Sequence, residues 1–369
     1  MTTQNTPSAT TRSMMVALFY FVVMPLGHAD QNIKPDFKIH SGKNDRLPGL
    51  KSAFPKYVQV FGLYIQATDL VSDAKLQHAA DITADFLDND RDGKPDNPKV
   101  NNELWNELSA IVMGYDECEY ERLHDRYGEM FVDYSLQSLF ATETMSNAGP
   151  HNPKSSEFDA SVEEILHIIT SVGYKGAYPK VFGARRGSEL ANAMDIARGG
   201  YFHTVPRHYP TSAWYSYDDR TCNYGCQITE YVYWALTSLL DGQAFKGRGE
   251  NIEHEWKLNT PEKLRTKDKA VVNILTDPKY HLSTRLPDGK YRFFFQTRIV
   301  LARTAAAPTA GPTTQPTESP TESPSRVVFF FSREAGVPSA FFARYATAFF
   351  ARAGSGGGVS FARTAAAVC

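Results

Sequence analysis

Asp159-Ala-Ser-Val-Glu163-Glu164-Ile-Leu-His167-Ile-Ile-Thr-Ser-Val172, in the middle of a 369-residue chain, is the stretch on which the reading of the fold turns. At about 100° per residue, Val162, Ile165, Leu166, Ile168, Ile169 and Val172 gather on one side of a helix, and Glu163, Glu164, His167 and Ser171 on the other. Glu163 and His167 are then i,i+4 neighbours with Glu164 beside them. Two carboxylates and an imidazole one turn apart are metal-ligating groups. A solvated Glu–His face on a surface helix gives the same pattern, so a second element has to decide.

That element is Ile228-Thr-Glu230-Tyr-Val-Tyr-Trp-Ala-Leu-Thr-Ser-Leu-Leu240, apolar nearly all round and therefore read as a buried helix. Glu230 is the one charged residue between Arg220 and Asp241. A lone carboxylate on a buried helix is costly unless a cation, a set of donors or a metal compensates it. Glu230 is thus the expected third ligand. Asp195, in Ala193-Met-Asp195-Ile-Ala197, is a second acid among apolar neighbours and an alternative. A plain ion pair of Glu230 with a buried Arg such as Arg198 also stays open.

These residues together resemble the zincin metallopeptidases. In an H-E-x-x-H helix two His hold the metal and the Glu beside the first acts as general base. Glu-Glu-x-x-His places Glu164 and His167 at the base and second-ligand positions, with Glu163 in place of the first His as an oxygen ligand that zinc also accepts. In the gluzincins the third ligand is a Glu on a downstream helix. In their lethal-factor-like branch that Glu opens an aromatic-rich segment after a Tyr-containing loop. Here Tyr224 precedes Glu230, and Tyr231, Val232, Tyr233 and Trp234 follow it. Over roughly residues 155–245 the resemblance implies a zincin-like domain, Zn2+ held by Glu163, His167 and Glu230, and Glu164 as general base. It also implies Tyr224 or a nearby Tyr as oxyanion donor and a peptide or protein substrate. Two carboxylates and one His would leave the zinc site neutral, so water there would ionise less readily than at the usual catalytic pKa of about 7. A degenerate, inactive relative is the second form of this expectation.

Asp88-Asn-Asp90-Arg-Asp92-Gly93-Lys94-Pro-Asp96 carries a separate signal. Carboxylates at alternate positions, Gly at the sixth and a carboxylate at the ninth resemble an EF-hand calcium loop, with the Lys94 carbonyl at the seventh. Asp88, Asp90, Asp92, Lys94 and Asp96 are the expected Ca2+ ligands. Lys99 stands where the bidentate Glu belongs, and Glu103, one helical turn later, is a candidate substitute. Ser72 is the expected cap of a helix over Asp73–Leu87 before the loop, and a second helix is expected over residues 98–113.

The remaining pattern gives a helix-rich α+β class. Helices are expected over Glu189–Ala197, 227–240 and 260–275, the last opened by a Thr260 cap and Pro261. An aromatic loop region spans 201–217, and residues 286–292 turn into a final strand. No Pro/Gly-rich linker divides residues 30–296, which read as one domain. Residues 1–29 read as a secretory signal: Arg12, an apolar run from Met14 to Met24, and small residues before a cleavage point after Ala29. A membrane span would need roughly 20 apolar residues. Residues 297–369 read as a Pro/Thr/Ser stalk followed by low-complexity sequence.

A secreted chain favours disulfides, and Cys222 and Cys226 can close a small loop, with Cys118 able to pair with either. The net charge of −2 leaves no electrostatic footprint for nucleic acid. Two further readings stay open. Glu121-Arg-Leu-His124 with Glu164-Ile-Leu-His167 supplies half the ligands of a di-iron bundle. A calcium-stabilised, non-enzymatic binding or cell-coat protein keeps the fold without the chemistry.

Overall fold

The six residues Ser109–Gly114 are small or apolar and all six are buried, as a strand covered on both faces requires. They sit near one side of a five-stranded sheet. The computed structural model describes residues 36–149, 152, 155 and 157–292. The expected signal (1–29) and the expected stalk and tail (297–369) lie outside these residues, as does the strand expected after Arg292.

The strands are β1 (Asp36–Ser41), β2 (Lys56–Val60), β3 (Leu63–Ala67), β4 (Ser109–Gly114) and β5 (Ser135–Phe140), paired in that order. β1, β2 and β3 run antiparallel, whereas β3, β4 and β5 are parallel. Parallel neighbours need a crossover. The first is built from α1 (Asp73–Leu87) and α2 (Pro98–Asn106), the second from α3 (Glu117–Tyr127). Then come α4 (Ala160–Ile168), the one-turn α5 (Lys175–Ala177), α6 (Glu189–Ala197), α7 (Tyr224–Leu239), α8 (Arg248–Ile252), α9 (Pro261–Lys267) and α10 (Lys269–Leu275). Mixed sheet and helices make the α+β class plain.

Period-two alternation splits the sheet into two faces. Ile111 and Met113 of β4 join α1, α4, α6 and α7 in the main core. Ala110 and Val112 join Phe54, Phe131 and the Tyr120, Leu123 and Tyr127 side of α3 in a smaller one. Glu121 and His124 ride on α3, away from α4 and α7, which removes the di-iron reading.

Two expected helices change. The one over 98–113 stops at Asn106, Leu108 adopts a φ of +51°, and the apolar run after it becomes β4. Helix and buried parallel strand share an apolar signature, and only sheet pairing separates them. The helix over 260–275 breaks at Asp268, whose carboxylate caps α10 and takes the Trp214 indole N–H and the Tyr231 hydroxyl. Ser72 and Thr260 cap α1 and α9 as expected.

The expected 159–172 helix is α4 continued by a π-helical segment, Ile169–Tyr174. Gly173 sits where a Cβ would meet Val100 Cγ1 at 2.7 Å, so only glycine lets α2 pack this closely on the turn. Cys222 and Cys226 form a disulfide with a Cα separation of 5.3 Å in the lead-in to α7, so Cys118 pairs with neither.

Asp159 fixes the start of α4. Its carboxylate accepts N–H bonds from Ser161 and Met145 and lies 2.6 Å from His78 Nε2 on α1. Burial works against the charge, but the His78 contact outweighs it and holds the carboxyl below its ordinary range. Asp159→Ala is expected to lose about 3–5 kcal/mol, the cost of opening a buried pair, in a denaturant melt. The stabilisation is present above about pH 4, the ordinary carboxylate pKa, and is lost as pH falls through the lower folded value. A wild-type-like melt of the variant at pH 7 would contradict this.

Candidate metal centre

α4 lies over β4 and β5, and α7 packs against it. α7 is buried along nearly its whole length because its sequence has no polar stripe, so Glu230 has nowhere to go but inward. α4 turns its polar face toward it. Ligand atoms of Glu163, His167 and Glu230 all lie within 4.8 Å of one another. His167 Nε2 is 3.4 Å from Glu230 Oε2, and both side chains are 5% exposed. That Nε2 is shut off from solvent and has no hydrogen-bond partner. A buried imidazole nitrogen that faces two carboxylates and makes only a long 3.4 Å contact to one of them is a position that a metal ion can take.

The other ring nitrogen is occupied. His167 Nδ1 lies 3.5 Å from Glu164 Oε2, and that carboxylate takes the Gln137 amide N–H at 2.6 Å. With a metal bound, a carboxylate on one nitrogen would hold the tautomer that leaves the other as a lone-pair donor. Gln137 comes from β5, whose neighbouring Leu139 faces the same core.

Charge crowding is evident. Burial first, then Glu230, pushes the Glu163 carboxyl up to about 8. Burial would lower the His167 pKa, but Glu230 and Glu164 override it and carry it well above the usual imidazole value. Burial and Glu230 push Glu255 up to about 8, and burial and Glu164 push Glu143 up to about 7. Arg248, whose charge opposes the rise at Glu163, lies over Phe158 and Trp234 and donates to Gln243 Oε1 and the Tyr233 hydroxyl.

The alternative third ligand does not join this group. Asp195 pairs with Arg198 at 2.6 Å and accepts from the Tyr224 hydroxyl at 2.9 Å. Those two partners account for its burial without a metal. They also commit Tyr224, whose hydroxyl is turned to Asp195 rather than to the centre. Tyr233 packs its ring edge-on against His167 at 5.6 Å, and Tyr217 is a second buried phenol whose pKa burial raises first and Glu230 and Glu163 raise further. Arg198 donates to Gln227 and Asp195, not to Glu230.

The Asp-rich loop forms a second group. Asp88, Asp90 and Asp96 bring carboxylate oxygens within 4.8 Å of one another. Asp88 is fully buried and accepts N–H bonds from Asp92 and Gly93 and the hydroxyl of Tyr291. Burial, then Asp90, Asp88 and Asp92, push Asp96 up to about 6. Gly93, at a φ of +87°, makes the turn at the sixth position. Asp92 departs from the expected set: its carboxylate takes the Lys94 N–H at 2.9 Å and lies outside the group. Lys99 stands over the Tyr178 ring, and Glu103 lies against Gly176, so neither supplies the twelfth-position ligand.

No protein family matches the chain, and no curated protein or solved structure resembles it at a significant level.

Gln137, Glu143, Tyr217, Arg248 and Glu255 carried no legible signal, since each lies in ordinary-looking sequence and meets the centre only through packing. Without a cation, Glu163 and Glu230 repel each other once Glu163 ionises, above about pH 8. Glu163→Gln is therefore expected to leave the metal-stripped protein's melting temperature little changed at pH 7 and to raise it at pH 9, since the neutral amide removes the repulsion. A lower one at pH 9 would show that the two carboxylates are not in conflict.

Proposed function

We propose that this chain is a secreted, zincin-type hydrolase acting on peptide or protein substrates, with a Zn2+ ion held by Glu163, His167 and Glu230. The convergence of these three groups from α4 and α7, with the buried His167 Nε2 facing Glu230 at 3.4 Å, supports the reading. A divalent ion there supplies Lewis acidity and a lowered pKa for water.

The protein's own groups have definite tasks. Glu164 is 20% exposed, the most open of the α4–α7 acid–His set for which a contact to His167 is known, and it is braced by Gln137. It accepts the proton of the attacking water and returns it to the leaving amine. The Tyr217 hydroxyl donates to the oxyanion that develops on the scissile carbonyl. Two carboxylates neutralise the ion's charge, so turnover is slower, or needs higher pH, than with two His ligands.

The loop formed by Asp88, Asp90 and Asp96 binds Ca2+ in this reading and ties α1 to α2 and to the segment that ends at Tyr291. A non-enzymatic, calcium-stabilised binding protein is the second reading. It is favoured by the same loop, which anchors Arg285, Asp288 and Tyr291 without touching the α4–α7 centre.

Elemental analysis of the purified chain should find about one zinc, lost in His167→Ala and in Glu230→Gln. Glu164→Gln should keep the zinc and abolish peptidase activity, because only the proton-transfer group is removed. Zinc in both proteins with activity in neither would establish a degenerate centre, and absence of any transition metal would end the proposal. Calcium at 100 times its dissociation constant should add about 2.7 kcal/mol to stability. An equal gain in Asp90→Ala would exclude the loop as its site.

A further inference from the structure

Tyr233 follows Glu230 by three residues on α7 and so shares its inward face. Its ring is fully buried and stands edge-on to His167, with planes 81° from parallel. Phe158 packs on the same ring at 6.2 Å. One residue thus lies against one proposed ligand and one turn from a second. Its hydroxyl decides what happens to the third.

The direction of each hydrogen bond around that hydroxyl follows from Arg248, because a guanidinium only donates. Three rings hold Arg248 in place, Phe158, Trp234 and Phe245, with centroids at 4.5, 5.4 and 5.8 Å. Its Nε donates to Gln243 at 2.7 Å, so the amide atom facing it is Oε1 and the flipped amide is ruled out. Gln243 Nε2 is then left to donate to the Thr237 hydroxyl at 2.9 Å and to the Tyr233 hydroxyl at 3.1 Å. Arg248 Nη2 reaches the same phenol oxygen at 3.4 Å.

Two donors therefore occupy the acceptor side of the Tyr233 hydroxyl, and its one proton has to leave toward another group. Tyr233 and Gln243 are fully buried, which excludes bulk water as that group. Glu163 takes the role. Burial first and the Glu163 charge second carry the Tyr233 phenol well above its ordinary value, and a side-chain hydrogen bond to Glu163 adds to the rise. The phenol accordingly keeps its proton and donates it to the Glu163 carboxylate.

A carboxylate that spends one oxygen on a phenol has the other left for an ion. Binding through both oxygens raises the coordination number, as at calcium sites, whereas binding through one suits four-coordinate zinc. We infer that Tyr233 is a positioning residue of the α4–α7 centre, holding one Glu163 oxygen so that this carboxylate meets an ion through the other alone. The inference rests on the metal reading of that centre. It also removes Tyr233 from the phenols free to donate to a substrate.

The test compares the full chain with Tyr233→Phe, which keeps the ring against His167 and leaves Gln243 and Arg248 bonded to Thr237 and to each other. Zinc affinity, read by competition with a chelator, is expected to fall about 10–100-fold. Loaded with Co2+, the wild type should show the intense visible bands of a four-coordinate ion, and the variant the weak bands of higher coordination as the freed oxygen joins. In the metal-free chain, Tyr233→Phe should lower the melting temperature more when Glu163 is present than in a Glu163→Leu background. Equal drops in both backgrounds, equal zinc affinity, or weaker binding with an unchanged Co2+ spectrum would each overturn the inference and leave the zinc reading standing. Absence of metal from both proteins would end the zinc reading instead, and the melts would still decide whether Tyr233 holds Glu163.

Discussion

A carboxylate inside an apolar helix is the constraint on which this structure depends. Glu230 is the single charge on α7, and a buried unpaired charge is stable only if a cation answers it. α7 is therefore oriented so that Glu230 meets His167, and α4 so that its polar face looks inward instead of toward water. Three further acids, Glu164, Glu143 and Glu255, crowd the same region, and burial raises Glu143 and Glu255 further. The protein concentrates negative charge where its core would be cheapest to fill with leucine. Strain of this kind is concentrated at functional sites.

Rigid supports make that arrangement possible. Asp159 joins the start of α4 to His78 on α1, and the far end of α4 loosens into a π-helical turn packed on α2 through Gly173. α1 and α2 are themselves joined by the Asp-rich loop. The helix carrying His167 is thus braced at both ends by the two helices that the loop connects.

The two faces of the sheet are packed differently. One carries the α4–α7 centre on a large apolar core. The other carries a smaller core under α3, with the rings of Tyr57, Tyr64 and Trp105 packed on one another beside it. Alternate residues of β2 and β3 serve opposite faces, so a one-residue slip in register would exchange one face's side chains for the other's.

Sequence alone determined the local features. Capping residues and helical period fixed α1 and α6, the Asp88–Asp96 spacing fixed a loop with its glycine turn, and the lone charge of α7 singled out Glu230. These signals act within a few residues and depend on backbone geometry. Tertiary structure decided the rest. It made 109–114 a parallel strand instead of a helix end, because an apolar run has the same composition in both. It gave Tyr224 to Asp195 and brought Tyr233 and Gln137 to the centre. It left Asp92 out of the acidic loop group. Each of those outcomes depends on which side chain lies opposite which after the chain has folded back over tens of residues, and local periodicity carries no information about that.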